Sequence, residues 1–185
     1  FTATVPPDNP LYDRICCRKS MLSVFRNNTE IFYGEVRKIP NIDRYRNKQI
    51  YCTGALSFLA DSIQPQAEYH DISPAALLGK MLEIHNSQVE PRKQIKLGYV
   101  SVTDPNNSLY RYTNYENTLE AIREKLVNRL GGYLRLRHVD DQLILDWVSI
   151  EQYGNYSTQP IEFGLNLLDY SETTSAEDVV TALIP

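Results

Sequence analysis

The 185 residues of this chain suffice to bury a core, either as one domain or as two small subdomains sharing an interface, without help from disulfides. A formal net charge of −4 withholds the basic face that a nucleic-acid partner requires, and no run of about 18 apolar residues is present to span a bilayer. The three cysteines provide neither a paired framework nor a CxxC metal spacing, because Cys16 and Cys17 adjoin and Cys52 stands alone.

The chain opens on an alternating strand, with Phe1, Ala3 and Val5 on one side and Thr2 and Thr4 on the other. It has no initiating methionine and no signal-peptide pattern. It reads as a fragment of a longer protein whose first sheet has lost strands at this end. The VPPDNP segment ends the strand, and Leu11 to Lys19 is expected to be a short helical connector. Met21 to Arg26 then alternates into Asn27-Asn28, a strong turn dipeptide, and Glu30 to Lys38 returns, so this pair is a hairpin with Gly34 a bulge or close-approach site. Beyond a polar loop, Gln49 to Thr53 is another strand, leading through Gly54 into an apolar helical turn over Ala55 to Ala60. Residues 1–63 therefore form a β-rich subdomain.

Residues 64–185 form an α+β subdomain. Ser73-Pro74 is an N-cap followed by proline at the first helical position, which starts a helix near 73–86 with Leu77, Leu78, Met81, Leu82 and His85 on one face. Gln94 to Thr103 is a strand. Thr113 with Glu116 reads as a capping box opening a second helix near 114–130, whose stripe is Leu119, Ile122, Leu126, Val127 and Leu130. Gly131-Gly132 stops it, and the two alternating runs around Asp140-Asp141 make a hairpin over 133–148. Short β segments are expected at Ile161 to Phe163 and Leu165 to Leu168, with a last strand over Val179 to Ile184. The fold class is α+β, mainly antiparallel β with barrel-like subdomains and two amphipathic helices.

Chemistry is sparse. The three histidines share no motif with one another: His85 sits on an apolar helix face, His138 on a strand beside Arg135 and Arg137, and His70 follows Glu68 in a loop. No serine elbow, nucleophilic cysteine context, calcium loop or phosphate loop occurs, and Asp140-Asp141 is explained by turn chemistry. The sequons at Asn27, Asn106 and Asn155 are turn asparagines. The sequence thus nominates no catalytic, cofactor-binding or metal-binding residue, and the expectation is a non-enzymatic chain. The thirteen tyrosines stand out, since tyrosine joins apolar area to a hydroxyl and suits interfaces. Tyr110, Tyr112, Tyr153 and Tyr156 are the candidate interface residues.

Taken in order, TATVPPDNPLYDRI, EIFYGEVRKI, YCTGALSFLADSIQPQAEYHDIS, MLEIHNSQVE, SLYRYTNYENTLEAIREKLVNRLGGYLRLR and IEFGLNLLDYSETTSAEDVVTALIP resemble the minor structural, tail-associated proteins of siphovirus-type phages and prophages of Gram-positive bacteria. The resemblance implies the hub-like N-terminal region of a tail-tip or baseplate protein, similar in fold to the hub of contractile tails. Such a hub would be made in the bacterial cytoplasm and found in the virion tail. Its expected partners are itself, as a homotrimer of the full-length protein forming a ring that continues the tail tube, and other tail proteins. Two further readings stay open: part of a tail-associated cell-wall endopeptidase, with its hydrolase activity outside this region, or a host-surface binding module.

Overall fold

A computed structural model describes residues 1–105, 110–154 and 157–172. The architecture is α+β with mostly antiparallel sheets, one of them curled into a half-barrel, and three helices of seven or more residues. Phe1–Tyr153 is one compact unit.

The half-barrel is built from β1 (Thr2–Val5), β2 (Met21–Arg26), β3 (Thr29–Ile42) and β4 (Lys48–Gly54), in the order β1-β4-β3-β2 with every pair antiparallel. Its curl follows from three breaks in register, between Val24 and Phe25 and on either side of Lys38 in β3, since extra residues on one strand bend it and increase its twist. Asn27 and Asn28, both at positive φ (48° and 65°), make the tight turn of the β2–β3 hairpin. Gly34 is a close-approach site: a Cβ there would collide with the Thr53 carbonyl oxygen. The inner face buries Val36, Ile50 and Cys52 against Ala3, Val5 and Leu22. Between β1 and β2, only Tyr12–Arg14 is helical, as a 3₁₀ turn. Tyr12 is the anchor that overrides a longer helix: it is buried, its hydroxyl donates to the Arg46 carbonyl, and Lys48 Nζ lies 3.8 Å above its ring.

The larger core lies beyond β4. A 3₁₀ helix over Ala55–Asp61 contributes Phe58 and Leu59. Helix α1 (Pro74–Gln88) starts as expected, with the Ser73 side chain accepting from the Ala76 amide, and buries Leu77, Leu78, Met81 and Leu82. A 3₁₀ turn over Pro91–Lys93 leads into β6 (Ile95–Val100). Before that, β5 (Ala67–Tyr69) pairs antiparallel with β7 (Arg111–Thr113). The final sheet joins β6, β9 (Gln142–Val148) and β8 (Tyr133–Val139) in the order β6-β9-β8, and β6 runs parallel to β9. Asp140 and Asp141, at φ 49° and 57°, make the expected turn of the β8–β9 hairpin.

The second long helix departs from the sequence reading. Thr113 belongs to β7, and its hydroxyl donates to the Pro65 carbonyl. Glu116 accepts from the Asn114 amide in the turn that follows. The true N-cap is Asn117, whose Oδ1 accepts from the Glu120 amide while its Nδ2 donates to the Glu120 carboxylate. Helix α2 then runs as α over Thr118–Ile122, widens to π over Arg123–Val127 and returns to α over Asn128–Leu130. Ile122 and Leu126 of its stripe are fully buried, and Gly131 and Gly132 end it at φ 75° and 82°. A short α3 (Ile150–Tyr153) closes this unit.

Among residues 157–172, the two short β segments reduce to a single bridge between Phe163 and Leu167, because a turn bonds three successive amides to the Glu162 carbonyl. The strand expected over Val179 to Ile184 lies outside the described residues.

Candidate functional site

The core carries a polar chain whose hydrogen bonds have one consistent direction. His85 Nε2 must donate to the Lys93 carbonyl at 3.2 Å, so Nδ1 accepts from the Ser62 hydroxyl at 2.7 Å. Ser62 Oγ then accepts from Thr118 Oγ1 at 2.7 Å, which accepts from Gln64 Nε2 at 2.8 Å. The Ser62–His85 contact has the length of a nucleophile–base pair, yet both side chains are sealed in the core and the second imidazole nitrogen bonds a carbonyl. Burial lowers the pKa of His85, in keeping with the neutral ring that this chain of bonds requires. His85 therefore serves the fold.

A groove of about 490 Å³ lies between the β2–β3 and β8–β9 hairpins. His138 Nδ1 is 2.9 Å from Glu30 Oε2, and its ring stacks on Tyr33 with centroids 3.8 Å apart. Burial, then the Asp141 and Glu30 carboxylates, raise the pKa of the Tyr33 hydroxyl. The carboxylate orients the imidazole as in a base–orienter pair, but the described lining supplies no serine, threonine or cysteine to activate. Sequence reading placed His138 on a strand face and missed this pairing, which joins residues 108 apart in the chain.

Two buried carboxylates organise cations. Asp146 accepts from Arg137 Nε at 2.6 Å, from Arg135 Nη2 at 3.0 Å and from the Tyr99 amide at 2.9 Å. The Arg137 hydrogen bonds lead the causes that lower its pKa to about 2. Glu35 on β3 is fully buried beside Lys93 Nζ (3.1 Å) and Arg37 Nε (3.2 Å), and Lys93 also reaches Asp61 at 2.7 Å. Among the described residues, no three His, Cys, Asp or Glu side chains gather as a metal-binding group.

The described candidate interface tyrosines fall into two separate ring contacts. Tyr110 and Tyr112 sit on the outer face of the β5–β7 ribbon with ring centroids 6.4 Å apart, and His70 leans on Tyr110 at 4.8 Å. Glu68 is the cross-strand partner of Tyr112, and its carboxylate is 3.6 Å from His70 Nε2. Desolvation and then the Glu68 carboxylate raise the pKa of Tyr110. Tyr153 stacks instead on Tyr133 at 4.5 Å, and among the described residues no ring contact joins it to Tyr110 or Tyr112. Tyr156 lies outside the described residues.

No protein-family model matches this chain, and no curated protein is significantly similar to it.

Proposed function

We propose that this chain is a structural component of a phage or prophage tail tip, part of a hub that self-associates as a trimer into a ring continuing the tail tube. The observation that carries the reading is the half-barrel, in which β1 pairs only with β4 and β2 only with β3 among the described residues. Each leaves a row of backbone donors and acceptors that a neighbouring strand satisfies, and a closed ring of identical subunits removes both edges at once. Phe25, at the β2 edge, and Ile31, just across the turn on β3, are exposed large apolar side chains beside that edge. The resemblance of the ordered sequence phrases to tail-associated proteins supplies the biological setting, in which other tail proteins are the further partners and the virion tail is the location.

The test is the mass and shape of the complete gene product, by light scattering and negative-stain electron microscopy. A trimeric mass with three-fold rings supports the proposal, and Phe25→Asp should shift the population to monomers of unchanged circular dichroism. A monomer at every accessible concentration, indifferent to Phe25→Asp, overturns it.

A further inference from the structure

The β5–β7 ribbon divides its side chains cleanly. Tyr69, Arg111 and Thr113 point into the protein and are buried, so Glu68, His70, Tyr110 and Tyr112 share the outer face. Glu68, Tyr110 and Tyr112, together with Gln66 and Asn114, line a cleft of about 270 Å³. The face is held from behind: Arg111 Nε donates to the Lys125 carbonyl and Nη1 to the Tyr110 carbonyl, both at 2.8 Å. Lys125 Nζ, 4.5 Å from the Tyr112 centroid, steadies that ring while leaving the residue 51% exposed. Tyrosines fixed in this way lose little freedom when a ligand stacks on them.

We propose that this face is a saccharide-binding platform for a neutral, β-linked pyranoside. A pyranose with equatorial substituents presents a flat C–H face that packs on an aromatic ring, while its rim of hydroxyls needs donors and acceptors. The cleft supplies both at the scale of a sugar. Two tyrosine rings lie 6.4 Å apart at 34° to each other and each offers a face to a sugar ring, the Glu68 carboxylate accepts from hydroxyls, and the amides of Gln66 and Asn114 do either. A nucleic acid is opposed by Glu68 and by the net charge of −4. The inference stands independently of the hub reading, whose ring is read out by mass.

The experiment uses the complete chain, with chitobiose and cellobiose as probes, followed by amide NMR shifts and calorimetry. Saturable shifts confined to 66–70 and 110–114 are expected. Tyr112→Ala should weaken binding by about tenfold, while Tyr112→Phe, which keeps the ring, should retain it. Glu68→Gln should weaken binding several-fold, and Tyr153→Ala should leave it unchanged. The proposal is overturned if neither disaccharide moves these amides, if Tyr112→Ala binds like the parent, or if the same amides shift on protein dilution alone, which would make the face a self-association surface.

Discussion

Replacing Asp146 by asparagine isolates one buried charge and gives it a pH signature. The carboxylate is wholly shielded from solvent, accepts from two guanidinium groups and the Tyr99 amide, and has its pKa lowered from 3.8 to about 2. A depression of that size corresponds to about 2 kcal/mol of folding stability at neutral pH. The side chains of Arg135 and Arg137 are 49% and 42% exposed, so water screens them and rehydrates them once the charge is gone. Asp146→Asn, which keeps an oxygen for the Tyr99 amide, should therefore cost about 1–2 kcal/mol and lower Tm by about 2–8 °C. Because the folded pKa is depressed, this contribution is complete above the unfolded value of 3.8 and is lost as pH falls through about 2. About half of the gap between parent and variant should remain at pH 3. Urea unfolding of both proteins at pH 7, 5, 4 and 3 measures it. A gap that stays constant to pH 3, or that is absent at pH 7, refutes the assignment of this stability to the Asp146 charge.

Three further outcomes follow from the packing. Glu35→Ala should cost about 1–3 kcal/mol in urea melts, because Lys93 and Arg37 lose one of their two carboxylates and keep Asp61; no measurable loss would show that Asp61 alone satisfies both cations. Gly98→Ala should cost about 1–3 kcal/mol, because the added Cβ would collide with Asp146 Oδ1 and come within 2.7 Å of Ile144 Cγ2; a Tm equal to the parent's would show that β6 yields there. Asn117→Ala should cost about 1 kcal/mol in the same melts, and a larger loss from Glu116→Ala than from Asn117→Ala would return the helix start to the upstream residues.

Local signals were legible wherever a dipeptide or a periodic stripe decided the outcome. Asn27-Asn28 and Asp140-Asp141 both adopt the left-handed backbone that tight hairpins need, and Ser73-Pro74 opens α1. The misread helix start shows where such signals run out. Thr113-Glu116 and Asn117-Glu120 offer the same capping pattern four residues apart, and the choice between them is made by pairing of β7 with β5, a contact over forty residues away in sequence. Nonlocal geometry was out of reach for the same reason. Nothing in Ile95 to Val100 announces a parallel partner at Leu143 to Trp147, and nothing around His138 points to Glu30. The tyrosine count marked a surface trait, but only the ribbon's two-residue period places Tyr110 with Tyr112 and leaves Tyr153 to Tyr133.

The Glu35 cluster bears on how a half-barrel could serve in a ring. Glu35 comes from β3, Asp61 from the end of the 3₁₀ helix after β4, and Lys93 from the turn before β6, so one knot of charge ties the sheet to the helical core. Arg92 extends it by donating to the carbonyls of Arg18 and Lys19, in the segment that precedes β2. An apolar contact of equal area would hold these parts together but would tolerate sliding, since the hydrophobic effect has no preferred direction. The hydrogen bonds from Arg92 to the Arg18 and Lys19 carbonyls and from Lys93 to Asp61 have preferred lengths and angles, so they set the orientation of the segment before β2 relative to the core, while Glu35 adds ion-pair attraction. In the proposed ring, a subunit that presents the β2 edge to a neighbour needs fixed orientation more than net stability, because a small rotation of the edge strand would break the strand pairing between subunits.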